Sequence, residues 1–145
     1  MGVTNFDEYR DVFVVADTID DVVHPVTYEL IGQARRIAKE LGQLVQVMLL
    51  GENVQSEAEE LVAHGADIVH VFESPLLKYY TTDGYTKVLT DFFEDHKPNI
   101  LLIGATNNGR DLAPRMSGRM KNGVVADCTI LTVDTEEGLV EWTRP

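Results

Sequence analysis

The sequence predicts an α/β fold built on an open, doubly wound and mainly parallel sheet. Three observations predict it. Apolar runs of strand length, most of them rich in Val and Ile, recur along the chain. Segments with the spacing of amphipathic helices separate them. The runs are apolar throughout, as in strands covered by helices on both faces. Strands alternating with helices pair in parallel through right-handed crossovers. At 145 residues and 44% apolar content the chain has the size of one domain with an ordinary core.

The elements follow in order. Residues 12–16 (Val-Phe-Val-Val-Ala) form the first strand. Residues 28–41 form the clearest helix, with Leu30, Ile31, Ala34, Ile37, Ala38 and Leu41 on one face and Arg35, Arg36, Lys39 and Glu40 on the other. Residues 44–50 make the second strand. Ser56, with Glu59 three positions on, reads as a capping box opening a short helix through Ala63, and Gly65 supplies its stop. The third strand is 68–72. Residues 83–96 form a helix whose inward face is Val88, Leu89, Phe92 and Phe93, ended by Lys97-Pro98. The fourth strand is 100–103 and the fifth 124–131. Beyond the turn at 134–138, residues 139–142 can pair as a short antiparallel edge strand. No repeat, low-complexity tract or linker interrupts this order.

Composition narrows the function. Twelve Lys and Arg against twenty-four Asp and Glu give a net charge of −12, which repels nucleic acid and anionic membrane surfaces. Cys128 is the single cysteine, so an internal disulfide and a multi-cysteine metal site are excluded, and a reducing, cytoplasmic location is expected. Residues 1–10 are polar and acidic, unlike a signal or transit peptide. No apolar run approaches the roughly 20 residues of a membrane-spanning helix.

Ligands of open α/β sheets gather at the carboxyl ends of the strands, and the fourth strand runs into Gly104-Ala105-Thr106-Asn107-Asn108-Gly109-Arg110-Asp111. The glycines let the backbone turn and approach a ligand closely, Asp111 reads as a helix cap, and Pro114 would sit harmlessly in the first turn. Four residues separate the glycines and no Gly-Lys-Ser/Thr follows, so neither the dinucleotide fingerprint nor the P-loop is matched. Spacing alone leaves the loop open between an ordinary strand-to-helix connection and an anion or partner site. Arg110, Arg115, Arg119 and Lys121 concentrate positive charge here in an otherwise acidic chain, while Leu112, Met116 and Met120 share the opposite, core-facing side.

Other chemistry finds no support in the residues. His24, His64, His70 and His96 are scattered without ligand spacing, which suits surface or helix-end roles and predicts no metal site. Cys128 lies in an apolar run that suits a buried, inert thiol, and Ser117 lacks a nucleophile elbow, so no catalytic residue is assigned.

The segment from Leu101 through Gly104-Ala105-Thr106-Asn107-Asn108-Gly109-Arg110-Asp111-Leu112-Ala113-Pro114-Arg115, followed by Val125-Ala126-Asp127-Cys128-Thr129, closely resembles the electron transfer flavoprotein alpha subunit. The likeness extends from the first strand, through Glu29-Leu30 and Ala34, to Glu141-Trp142-Thr143-Arg144-Pro145. It implies an adenine nucleotide alpha hydrolase-like form of the predicted sheet, with residues 1–145 as one N-terminal domain of a subunit roughly twice as long. It further implies a heterodimer with a beta subunit that carries electrons between flavin-dependent dehydrogenases and a further acceptor, bifurcating electrons in some members. FAD would be held chiefly by a C-terminal domain absent from this chain, and AMP or a second FAD by the beta subunit. The domain would then be an electron-carrier component and not an enzyme. On the same basis Gly104, Thr106, Asn107, Gly109 and Arg110 are candidate cofactor contacts, and Asp111, Arg115, Arg119 and Asp127 candidate partner contacts. Asn107 and Asn108 depart from the small or aromatic residues often found there. The rival is a stand-alone nucleotide-binding domain of the universal stress protein type; its later Gly-Ser or Gly-Thr signal is missing, since Gly118 precedes Arg119.

Overall fold

The computed structural model describes residues 10–121, 129–134 and 138–143. Its main sheet has the strand order β5-β4-β1-β6-β7-β8. The strands are β1 (Val12–Val15), β4 (Val45–Gly51), β5 (Ile68–Glu73), β6 (Ile100–Gly104), β7 (Thr129–Asp134) and β8 (Gly138–Thr143). All neighbours run parallel except β8, which pairs antiparallel with β7. The first of the large parallel strands is therefore central, and the chain winds outward from it in both directions, as the doubly wound reading requires. A hairpin absent from that reading, β2 (Thr18–Ile19) with β3 (Val22–Val23), follows β1. Its turn residues Asp20 and Asp21 take left-handed backbone angles, φ 50° and 64°, a conformation that Asp tolerates better than most residues.

Alternation along β1 organises two cores. Val12 and Val14 point to one face, where Leu30, Ile31, Ala34 and Ala38 of α1 (Pro25–Leu41) and Leu61 of α2 (Gln55–Ala63) cover them. Phe13 and Val15 point to the other, beneath Leu89 and Phe93 of α3 (Thr82–Asp95) and Leu112, Met116 and Met120 of α4 (Asn107–Lys121). Full burial of each large side chain contributes about 1.5–3 kcal/mol, so the two layers carry most of the driving force. None of the described helices is long and apolar enough to cross a membrane.

Helix ends differ from expectation where caps come from unforeseen places. The first helix begins at Pro25, not at residue 28, because His24 Nδ1 accepts from the Val26 amide at 3.0 Å and Pro25 suits the first turn. It ends on Gly42 at φ 66°, a left-handed stop that costs glycine nothing. The capping box at Ser56 does not form. The second helix starts one residue earlier, and that start is capped from a distance by Glu73 of β5, whose Oε2 accepts from the amides of Val54 at 2.9 Å and Gln55 at 3.3 Å. Gly65 does stop it, at φ 122°. The third helix is capped by Thr81, whose hydroxyl accepts from the Gly84 amide. The fifth large strand reaches Asp134, three residues beyond the expected end, while its expected start, 124–128, lies outside the described residues. The antiparallel edge strand is present as β8.

Candidate functional site

The strand order reverses between β1 and β6, and this switch point is where an open α/β sheet forms a crevice. At their carboxyl ends the two strands diverge into the turn 16–18 and the loop 104–106. Between them lies a narrow cavity of about 20 Å³, lined by Asp17, Thr18, Tyr80, Tyr85, Thr106 and Asn108 among others. That volume is enough for one water molecule.

The β6–α4 loop is tightly determined. The fourth large helix starts at Asn107, four residues before the expected cap, because Thr106 does the capping: its hydroxyl accepts from the Gly109 amide at 3.1 Å. Asp111 is therefore inside the helix, and Pro114 lies in its middle and not in its first turn. There Pro114 lacks the amide that would bond the Arg110 carbonyl. Arg110 folds back on the loop, its Nε donating to the Ala105 carbonyl at 3.3 Å. A side chain at Gly109 would overlap the Gly104 carbonyl oxygen, and one at Gly104 would press on Val26. Gly109 is thus required by packing of the loop on itself, and Gly104 sits in tight contact with α1.

The five candidate cofactor contacts, Gly104, Thr106, Asn107, Gly109 and Arg110, sit together on this one turn. Asp111 is joined to the neighbouring helix entry instead: its Oδ2 accepts from Tyr80 Oη at 2.7 Å and from Thr82 Oγ1. Those bonds, Thr82 first and then Tyr80, hold the Asp111 carboxyl below its usual range. Burial, and then the bond to Asp111, push the Tyr80 phenol well above its ordinary value. Arg115 reaches the same region, 3.3 Å from Asp83 Oδ1. Arg119 stands one turn further along the helix, exposed and away from the crevice. Asp127 and Cys128 lie outside the described residues. Leu112, Met116 and Met120 are buried core, as their spacing indicates.

The residues missed in sequence were the far wall of the crevice: Asp17 and Thr18 at the end of β1, and Tyr80 and Tyr85 around the start of α3. Thr18 Oγ1 donates to the Leu50 carbonyl at 3.1 Å and Tyr85 Oη to the Leu77 carbonyl at 2.9 Å, so both are fixed to the scaffold. The available signal was the polar aromatic stretch Tyr79-Tyr80-Thr81-Thr82. Three of the four histidines do occupy helix ends: His24 caps α1, and His64 and His96 close α2 and α3. No cluster of three metal-ligating side chains occurs among the described residues.

Comparison with known proteins sets this geometry in context. The family model described as "Electron transfer flavoprotein domain" matches residues 12–145. The chain is 46% identical over 138 residues, 95% of its length, to the electron transfer flavoprotein subunit alpha of Megasphaera elsdenii, of which it covers 41%. It is 45% identical over 133 residues to the LctC subunit of the NAD(+),ferredoxin-linked lactate dehydrogenase of Acetobacterium woodii, covering 92% of this chain and 32% of that one. The acryloyl-CoA reductase electron transfer subunit beta of Anaerotignum propionicum is 43% identical, with 90% of this chain and 35% of that one covered. Among solved structures, a universal stress protein in complex with cAMP superposes at a TM-score of 0.47 with 15% identity, over 86% of this chain and 98% of that one. The chain thus spans about two-fifths or less of the length of these curated relatives. With its family model matched from the first strand to the last residue, the chain belongs to the electron transfer flavoprotein domain family.

Proposed function

We propose that this chain serves as the N-terminal base domain of an alpha-type subunit, in a heterodimeric, FAD-containing carrier that passes electrons from flavin-dependent dehydrogenases to a further acceptor. The observation that carries this reading is the 46% identity to an electron transfer flavoprotein subunit alpha over 95% of the chain. A relative named as a subunit of a lactate dehydrogenase using NAD(+) and ferredoxin supports an electron-bifurcating parent complex as one form of this role.

The crevice supports a base domain over a flavin-holding one. Cofactor pockets enclose roughly 300–1,000 Å³, whereas the cavity between β1 and β6 encloses about 20 Å³ and the grooves beside it on the same loop, about 330 and 270 Å³, are open surface. The walls also carry Asp17, and Tyr80 with the adjoining Asp111 carboxylate, where a dinucleotide would bring phosphate charge. The residues present do not fit an enclosed flavin. Gly104, Thr106, Asn107, Gly109 and Arg110 are then edge contacts to a group held by another domain, and Asp111, Arg115, Arg119 and Asp127 contacts to the partner subunit. In this role the chain supplies no proton and no electron of its own; it orients the surface on which the flavin-bearing parts rest.

Two measurements test the reading. Mixed with an electron transfer flavoprotein beta subunit, the chain is expected to elute as a one-to-one complex in size-exclusion chromatography. Titrated calorimetrically with ATP, AMP and FAD, the isolated chain is expected to bind none of them at micromolar concentration. Failure to pair, or micromolar ATP or AMP binding by the chain alone, overturns it in favour of a stand-alone nucleotide-binding domain.

A further inference from the structure

At the opposite, amino-terminal end of the strands, away from the β6–α4 loop, a surface groove of about 580 Å³ runs between α1 and α2. Arg35, Arg36 and Lys39 line it together with Ala66 and Asp67. In a chain of net charge −12, three cations gathered in one groove need an explanation. The ion pairs among the described residues, Glu60–His64, Glu52–Lys78, Asp91–Lys87 and Asp83–Arg115, do not involve them. Among the described residues Asp67 is the one acid lining the groove, and its Oδ2 is engaged by the Val45 amide at 2.8 Å.

The cations are also positioned. Arg35 and Lys39 are one turn apart and share a face of the helix. The aliphatic stem of Arg35 lies directly over Gly65, where any side chain would displace it. Packing of that stem holds the guanidinium at the mouth of the groove. Val62, left 53% exposed, also lines an adjoining aliphatic groove with Ala58, Val69 and Val71.

We propose that this groove docks an acidic, amphipathic segment of a partner protein, its carboxylates meeting Arg35, Arg36 and Lys39 and its aliphatic side chains covering Val62 and its neighbours. Charge complementarity selects the occupant: the field of the whole chain turns away polyanions at long range, while the local cations reward carboxylates that arrive on an otherwise apolar helix. A phosphate-bearing small molecule would use the cations and leave the aliphatic rim wet. Guanidinium forks suit carboxylates in paired geometry, which makes the arginines the anchors.

The test uses a fluorescent peptide of roughly twelve residues with Glu and Leu in amphipathic helical spacing, its Gln-for-Glu analogue, and inorganic pyrophosphate. Anisotropy titration of the chain is expected to show binding of the acidic peptide alone, weakened as NaCl rises to about 150 mM. The variant R35Q/R36Q/K39Q is expected to bind about tenfold more weakly, since exposed pairs each contribute little but act together, while R35K/R36K, which keeps the charge and loses the paired geometry, falls between that variant and the wild type. Amide resonances of Gly32 and Gly65 should shift in the wild-type chain on adding peptide, and those of Gly104 and Gly109 should stay. Equal binding of the Gln analogue, displacement by pyrophosphate at lower concentration than the peptide, or shifts at Gly104 and Gly109 would each overturn the proposal. The resonance measurement needs no variant, so a poorly folding substitution leaves the question decided.

Discussion

Gly109 shows how little freedom the β6–α4 turn has. Its amide is spent on Thr106, and its missing side chain is the space into which the Gly104 carbonyl projects. In G109A the loop must open or the helix must withdraw from the strand end. Overpacking of this kind costs about 1–3 kcal/mol, and a drop of that size in urea-unfolding free energy is the expected outcome; an unchanged midpoint would show that the turn yields freely. His70 makes a second case at this scale. Its ring lies between Phe13 and Phe92, 4.7 Å from the latter's centroid, with His96 at 6.0 Å and Nε2 bonded to Gln46 Oε1 at 2.6 Å. Burial first, and then the His96 charge, lower its pKa from 6.5. The folded state thus binds the His70 proton less readily than the unfolded chain. Its contribution to stability is complete above about pH 6.5 and is lost as pH falls from there through the folded value. Between pH 7 and 5, H70Q is expected to lose stability with a shallower slope than the wild type in denaturant titrations; parallel slopes would remove His70 as the cause.

At the scale of elements, what was legible in the sequence was what periodicity encodes. The 3.6-residue spacing of Leu30, Ile31, Ala34 and Ala38 and the apolar runs of β1, β4 and β6 gave helices, strands and their alternation, because burial of those faces dominates the energy. The strand-to-helix turn after β6 was legible for the same reason: an apolar strand ending in glycine and polar residues can be placed on a sheet without coordinates. Illegible were the features made by residues distant in sequence. Asp111 looked like a cap because Asp often is one, yet its carboxylate is claimed by Tyr80 and Thr82, about thirty positions away in sequence. Ser56 and Glu59 had the spacing of a local cap, and Glu73 from the next strand displaced it. That displacement is itself testable. The Val54 amide is buried at the helix start with Glu73 as its acceptor. A carboxylate facing the positive end of a helix dipole is worth about 1 kcal/mol. E73A is expected to lose about that much in equilibrium unfolding, with S56A nearly neutral; the reverse order would restore the local capping box.

For the whole molecule the governing quantity is the net charge of −12. Surface ion pairs such as Lys87–Asp91 at 2.7 Å are exposed on both partners, and pairs of that kind contribute about 0–1 kcal/mol each. Repulsion summed over an excess of acids acts on every charge at once and favours the expanded chain. Salt therefore screens more repulsion than attraction: the Debye length contracts from about 30 Å at 0.01 M to below about 10 Å above 0.1 M. At fixed pH the thermal midpoint is expected to rise by about 2–4 °C over that range of NaCl. That rise corresponds to about 1 kcal/mol for a domain of this size. Neutralising Arg35, Arg36 and Lys39 together makes the net charge more negative by three, so that variant should start lower at low salt and climb more steeply, converging on the wild type at high salt. A flat or falling midpoint would mean that attractive pairs outweigh the global repulsion, and parallel curves for the two proteins would mean that the groove's cations are neutralised by nearby acids. Convergence instead identifies the α1–α2 groove as a concentrated counterweight to the acidic surface, held at the end of the sheet opposite the β6–α4 turn.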